Sequence, residues 1–196
     1  MQSFNIQAQT LYFGEIGSGH SDVYFFNDNR VNADNINNEF TAIHNDVHVG
    51  FGLIKPLSKV WQTSATLSLS RNGFKYAFDD VESVFRNTTI QLHPEIGLKV
   101  YKGFHVSAGL KAEHNLLEQS KENEESWSRS NEKLFKPFGI LASLGLQYQF
   151  RKFHFKAQLA LGTTNVLLDD SFAPSTIAVK AERNEAKLIF AYVFNQ

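Results

Sequence analysis

The sequence predicts an all-β fold, an eight-stranded antiparallel up-and-down transmembrane β-barrel. Three observations predict it. Apolar and polar side chains alternate with period two through eight segments, the connections between segments alternate between short and long, and aromatic residues collect at the segment ends beside the short connections. In a strand successive side chains point to opposite faces, so each alternating segment has one apolar and one polar side.

The elements follow in order. Phe4, Ile6 and Ala8 against Asn5, Gln7 and Gln9 form the first strand. Ile43, Val47, Val49, Phe51 and Leu53 against His44, Asp46, His48, Gly50 and Gly52 form the second. Trp61, Thr63, Ala65, Leu67 and Leu69 oppose a wholly polar row, Gln62, Ser64, Thr66, Ser68 and Ser70, in the third. The fourth, Thr88 to Val100, sets Ile90, Leu92, Pro94, Ile96 and Leu98 against Gln91, His93, Glu95, Gly97 and Lys99. In the fifth, Phe104, Val106, Ala108, Leu110 and Ala112 oppose His105, Ser107, Gly109, Lys111 and Glu113. Phe138 to Phe150 is a long sixth strand, with Gly139, Leu141, Ser143, Gly145, Gln147 and Gln149 on its second face. Phe153, Phe155, Ala157, Leu159 and Leu161 against His154, Lys156, Gln158, Ala160 and Gly162 make the seventh, and Leu188, Phe190, Tyr192 and Phe194 close the eighth.

Short turns are expected at Lys55 to Lys59, Tyr101 to Gly103 and Arg151 to Lys152, and long polar connections at Glu15 to Asn38, Arg71 to Asn87, Leu117 to Lys133 and Thr163 to Ser175. An up-and-down sheet puts all connections of one kind at one end. Eight is even, so both chain ends emerge at the short-turn end.

Alternation alone does not say which face is outside. A soluble lipocalin-like barrel binding a small hydrophobic or glycan ligand turns its apolar faces inward, whereas a transmembrane barrel shows them to lipid. Two features favour the membrane. The polar faces carry many ionisable groups and glycines, suited to a crowded lumen. Trp61, Tyr101, Phe104, Tyr148, Phe150, Phe153, Phe155, Tyr192 and Phe194 lie beside the short turns, as an aromatic girdle at a membrane interface would. Leu67, Leu92, Leu110, Leu144 and Leu159 should then face lipid, and Ser68, His93, Lys111, Ser143 and Gln158 the lumen. The soluble alternative reverses all ten.

Composition excludes several classes. The chain has 196 residues, 42 % of them hydrophobic and 20 % charged, which fits one folded domain spanning 1–196. Nineteen Lys and Arg against twenty Asp and Glu leave a net charge of −1, with no basic field for nucleic acid. Without cysteine there is no disulfide, thiolate metal site or cysteine nucleophile. No apolar run approaches the roughly 18 residues of a membrane-spanning helix. The start has neither a basic nor an apolar leader region, so any export signal is expected to have been removed, with Met1 an added initiator.

The expected lumenal network comprises Asp46, Glu95 and Glu113 paired with Lys99, Lys111, Lys156 and Lys187 and with His44, His48 and His93, because buried charges require partners. His44, Asp46 and His48 also form a row of metal-type ligands. Residues two apart on a strand are roughly 6.6 to 6.8 Å apart, too far for consecutive members to chelate one ion, so no metal and no cofactor is assigned. No Gly-x-Ser-x-Gly is present and no catalytic residue is assigned. Asn27, Asp28, Asn29, Asn32, Asp34, Asn35, Asn37 and Asn38 read as a solvated loop, with calcium or sugar binding the sharper alternative. The acidic run Glu122 to Glu125 reads as a surface segment, with a partner site the alternative.

The chain resembles the outer-membrane β-barrel domain family of Bacteroidetes-type bacteria, porin-like eight-stranded barrels, over most of its length. The residues that carry the resemblance are Leu57-Ser58-Lys59 leading into Ser68-Leu69-Ser70-Arg71-Asn72-Gly73-Phe74-Lys75-Tyr76, then Leu98-Lys99-Val100-Tyr101-Lys102-Gly103-Phe104. Gly139 to Phe150 before Arg151-Lys152, and Leu161-Gly162-Thr163-Thr164-Asn165-Val166, add to it. At the C-terminus Lys187, Tyr192 and Phe194 match the signal such barrels present for assembly, while Ile189 stands where Gly is expected and Asn195-Gln196 extend past the terminal aromatic. The resemblance implies the outer membrane of a Gram-negative bacterium, periplasmic short turns and external long loops. It implies as partners outer-membrane lipid and, during insertion, the barrel-assembly machinery. The function expected is a structural or interaction protein with a plugged lumen and no enzymatic activity, acting through four external loops or by docking to an envelope protein complex. A lipid-modifying enzyme is the third reading, after the ligand-binding barrel.

Overall fold

The alternating segments do become strands, and most run further than their hydropathy suggests. The structure, a computed structural model, describes residues 9–27, 40–78, 81–122, 126–129, 135–164 and 179–195. Its strands are β1 Leu11–Asn27, β2 Phe40–Pro56, β3 Trp61–Phe78, β4 Val81–Tyr101, β5 Phe104–Glu122, β6 Ser128–Arg129, β7 Phe138–Phe150, β8 Phe153–Gly162 and β9 Val179–Val193. Eight of them pair antiparallel in the order β1, β2, β3, β4, β5, β7, β8, β9, and β9 pairs back onto β1. Pairing of β9 onto β1 closes the sheet, so that no open edge is left along the leucine-bearing rows, as lipid requires. The two-residue β6 only extends the rim, pairing with Gln119 and Ser120 of β5.

The orientation is that of the membrane barrel. Leu144 is 64 % exposed on the outer wall and its neighbour Ser143 3 % exposed inside. Leu67, Leu92, Leu110 and Leu159 likewise face out, and Ser68, His93, Lys111 and Gln158 are buried in the lumen. The reversed assignment of a soluble barrel is not what the chain adopts.

Two sequence expectations are corrected. The first described strand, β1, occupies Leu11–Asn27, much of it assigned above to a long connection, while the segment Phe4 to Ala8 expected as the first strand lies outside the described residues. Gly14, Gly17 and Gly19 made that stretch read as loop. They are there because backbones approach closely where the barrel closes: a Cβ on Gly19 would overlap the Ala186 carbonyl oxygen and lie 2.7 Å from the Lys187 Cα. Second, Arg71 to Asn87 is not a long connection but a continuous hairpin, its pairing running from Arg71↔Thr88 to Phe78↔Val81. Likewise β5 continues through Leu117 to Glu122. Past Leu69 and Ile90 the outward row turns polar with Arg71, Thr88 and Arg86 while the ladder pairing goes on. Of the Asn-rich segment only Asn27, the last residue of β1, is described; Asn123–Glu125 also lies outside the described residues.

At the other end the turns are tight. Arg151 takes φ 51° and Gly103 φ 84° in their hairpins, left-handed conformations that such turns need and that glycine adopts without steric cost. Ser58 Oγ accepts from the Trp61 backbone N–H at 3.0 Å and shapes the β2–β3 turn. Asn195, past the terminal aromatic, ties the two described ends together: its Oδ1 accepts from the Tyr12 N–H at 2.7 Å and its Nδ2 donates to the Thr10 carbonyl at 2.9 Å.

Candidate functional site

The lumen concentrates the chemistry of this molecule, and it is layered. Nearest the short turns it is apolar: Phe13 on β1, Ile54 on β2 and Ala191 and Val193 on β9 pack together, with Leu11 against them. Gly52 leaves room for the Phe13 ring, since a Cβ there would lie 2.5 Å from it.

Above that plug come paired charges. Lys156 on β8 donates to both oxygens of Glu95 on β4, at 2.6 and 2.5 Å, and Ser107 Oγ adds a third bond to that carboxylate at 3.1 Å. Glu15 accepts at 2.6 Å from His48 Nε2. In the next layer Glu185 on β9 is shared by three cations: Lys111 at 2.7 Å, Arg183 at 2.8 Å and Lys187 at 3.1 Å. Arg183 also binds Glu113, which accepts from Gln91 Nε2 at 3.3 Å. Lys187 donates to Ser70 Oγ at 2.7 Å and to Asn72 Oδ1 at 3.3 Å. Ser21 Oγ donates to Asp46 Oδ1 at 3.3 Å. Glu95, Glu113 and Glu185 are thus buried and paired with cations, as burial demands.

Most of the expected lumenal residues therefore meet: Asp46, His48, His93, Glu95, Lys111, Glu113, Lys156 and Lys187 all line the interior. Lys99 does not join them: it is exposed at the mouth, opposite His105 in the ladder. The His44 side chain lies outside what the structure describes; its backbone pairs with His20 across a register shift, so the even alternation from His44 through Asp46 to His48 is broken there. Among the described residues no His, Asp and Glu cluster has metal-site geometry. Three residues absent from the sequence reading complete the network. Glu15 was hidden in the glycine-rich stretch. Arg183 and Glu185 lie four and two residues before Lys187 on the same face, and extending the period of the last strand backwards would have found them.

His93 Nε2 and Ser143 Oγ stand 2.7 Å apart, a spacing found between nucleophile and base. Gln158 Nε2 lies 3.4 Å from the other ring nitrogen, His93 Nδ1, and Glu95 Oε1 3.6 Å from His93 Nε2. The interior voids nearby measure ≈ 20 Å³ and ≈ 10 Å³, room for about one water each.

The aromatic residues expected as a girdle, Trp61, Tyr101, Phe104, Tyr148, Phe150, Phe153, Phe155, Tyr192 and Phe194, project from the outer wall toward the short-turn end. Tyr12, Phe51 and Phe190 join them: Tyr12 stacks on Phe51 at 6.3 Å, Phe51 on Phe194 at 6.3 Å, and Phe153 on Phe190 at 5.6 Å.

A closed wall of eight long strands, lipid-facing leucines and a charged interior are the marks of an outer-membrane barrel, and the model of the outer membrane protein beta-barrel domain family matches residues 7–168. The chain belongs to that family. No curated protein matches the sequence. Among solved structures this family barrel is similar to Neisserial surface protein A, at 10 % identity over 93 % of this chain and 97 % of that one, with a TM-score of 0.54. OprG from Pseudomonas aeruginosa matches at 12 % identity over 98 % and 100 % of the two chains, TM-score 0.48. The attachment invasion locus protein Ail of Yersinia pestis, in complex with the heparin analogue sucrose octasulfate, matches at 14 % identity over 93 % and 99 %, TM-score 0.46. At these identities the likeness of the family barrel to Neisserial surface protein A is one of fold.

Proposed function

We propose that this protein is a non-enzymatic structural and interaction component of the outer membrane of a Gram-negative bacterium. It holds a closed barrel in the lipid and presents its loop end to the exterior or to an envelope complex. The observation that supports it is the packing inside the barrel. The apolar cluster around Phe13 and Val193 and the ion pairs centred on Glu185 occupy the interior, and two voids between the described residues measure ≈ 20 and ≈ 10 Å³. An eight-stranded interior is just wide enough for side chains or one small ligand. The Bacteroidetes-type assignment rests on the sequence segments quoted above. Outer-membrane lipid, the assembly machinery during insertion and an envelope complex are the partners this reading carries forward.

Planar-bilayer recording of the refolded chain tests it. No stable open conductance of porin size is expected, and such a conductance would refute the plugged lumen. Lipid A mass spectra from cells with and without the protein should be identical; a lost acyl chain or phosphate would establish an enzyme instead.

A further inference from the structure

At the loop end of the outer wall, above the lipid-facing band, two basic side chains, Arg86 and Lys121, pack on an indole, and Arg71 and Arg129 take outward positions in neighbouring rows. The last apolar outward residue of β3 is Leu69, and the next outward position is Arg71. On β4 the outward order above Ile90 is Thr88 and Arg86, and on β5 Lys121 lies beyond Gln119 on the same side. The register makes these one patch: Arg71 pairs with Thr88, Arg86 with Gln119, and Gln119 with Arg129 of β6, while Lys121 pairs with Val84. Trp127 packs among them, with the Arg86 guanidinium 3.8 Å and the Lys121 ammonium 5.5 Å from its ring centroid.

Among the described residues none of Arg71, Arg86, Lys121 and Arg129 has a carboxylate partner. No carboxylate takes an outward position on β3, β4 or β5 between the Ile90 row and the Val84 row. Burial first, and the Arg71 guanidinium second, hold Arg86 below its ordinary pKa. Arg86 lies beyond the membrane-spanning part of β4. At about 3.4 Å per residue and a tilt near 40°, Arg71 and Arg86 stand roughly 5 and 10 Å past the apolar band, in the head-group layer. An indole is at home there. Leu69 and Leu92 are exposed below, and Leu116 is exposed beside the Arg71 row.

A ligand suited to this face is anionic above and apolar below. We propose that it binds the phosphate-bearing head group of an outer-leaflet glycolipid, with Arg71 and Arg86 on the phosphate oxygens and the acyl chains against Leu69 and Leu92. Arginine's planar fork suits phosphate, and Trp127 holds one fork in place. The inference rests on the loop end facing outward, as proposed above.

Native mass spectrometry of the detergent-solubilised chain tests it, using bisphosphorylated lipid A, dephosphorylated lipid A and phosphatidylglycerol. Heat-modifiable gel migration first verifies that each variant is a folded barrel. Retention of bisphosphorylated lipid A is expected, with at least tenfold weaker binding after dephosphorylation and in Arg71→Gln/Arg86→Gln. Lys55→Gln/Lys102→Gln at the opposite end should bind as the parent does. If the arginine pair does not fold, Lys121→Gln/Arg129→Gln decides, with a severalfold loss expected. Undiminished retention by the folded variant, equal binding of the dephosphorylated lipid, or equal binding of phosphatidylglycerol would overturn the proposal. An open lumen would appear as conductance and leave this measurement unaltered, so the two readings fail separately.

Discussion

Replacing Glu185 by Gln removes the one carboxylate that Lys111, Arg183 and Lys187 share, at 2.7, 2.8 and 3.1 Å. Side-chain shape is kept and one negative charge is lost. At an effective dielectric near 20, one unit pair at 2.8 Å attracts by roughly 6 kcal/mol. Three such pairs do not add to the net effect, because desolvation of the carboxylate and three cations cancels most of the gain. What the variant exposes is the remainder, two ammonium groups and a guanidinium enclosed with only Glu113 and Asp46 as counter-charges. Breaking a buried pair in this way costs about 3 to 5 kcal/mol. Urea unfolding in lipid vesicles, followed by tryptophan fluorescence and by gel migration, measures it. The double variant Glu185→Gln/Lys111→Met removes one surplus cation and should recover at least half of the loss. A loss below about 1 kcal/mol, or a double variant no better than the single one, would mean that these charges are solvated and that the lumen is open to water.

Three further outcomes follow from the same geometry. Leu144→Arg, at the lipid-facing midplane, should cost about 2 to 4 kcal/mol in vesicle unfolding, whereas Leu57→Arg in the exposed β2–β3 turn should cost far less; equal costs would contradict the orientation of the wall. Phe13→Ala hollows the apolar plug against Val193 and should cost about 3 to 5 kcal/mol in the same assay, with any new conductance in planar bilayers expected at the level of brief flickers. Arg151→Gly relieves a left-handed φ of 51°, a strain of about 1 to 2 kcal/mol for an L residue, and should slow unfolding slightly without changing the folded gel band; faster unfolding would show that the Arg151 side chain contributes more than its backbone costs.

Where lipid and lumen meet the two faces of one strand, the sequence is almost a drawing of the structure. Phe138–Phe150 and Phe153–Gly162 run between the same residues in both, and β3 and β5 begin at the expected Trp61 and Phe104. The membrane-level contrast between apolar and polar surroundings writes itself into alternate residues, so those segments declare their bounds and their faces. The same contrast placed Lys111, Glu113, His93, Glu95 and Lys187 inside, one strand at a time.

Other features carry no such local mark. The glycines of β1 look like a loop until β9 lies against them, and that pairing joins Phe13 to Val193 across nearly the whole chain. Arg71 to Asn87 sets Arg71 and Arg86 at outward positions where the rows below carry leucine and isoleucine, yet the ladder pairing holds the hairpin together. Composition could say that the lumen holds charges of both signs. Which carboxylate serves which cation, Glu185 for Lys111 and Glu95 for Lys156, depends on strand register and barrel closure, and so does the meeting of Arg71, Arg86 and Trp127 on the outer wall. Alternation is a property of each strand by itself, set by what its two faces touch, and the sequence determined that much; contact between strands is set by closing the sheet on itself, and only the tertiary structure decided it.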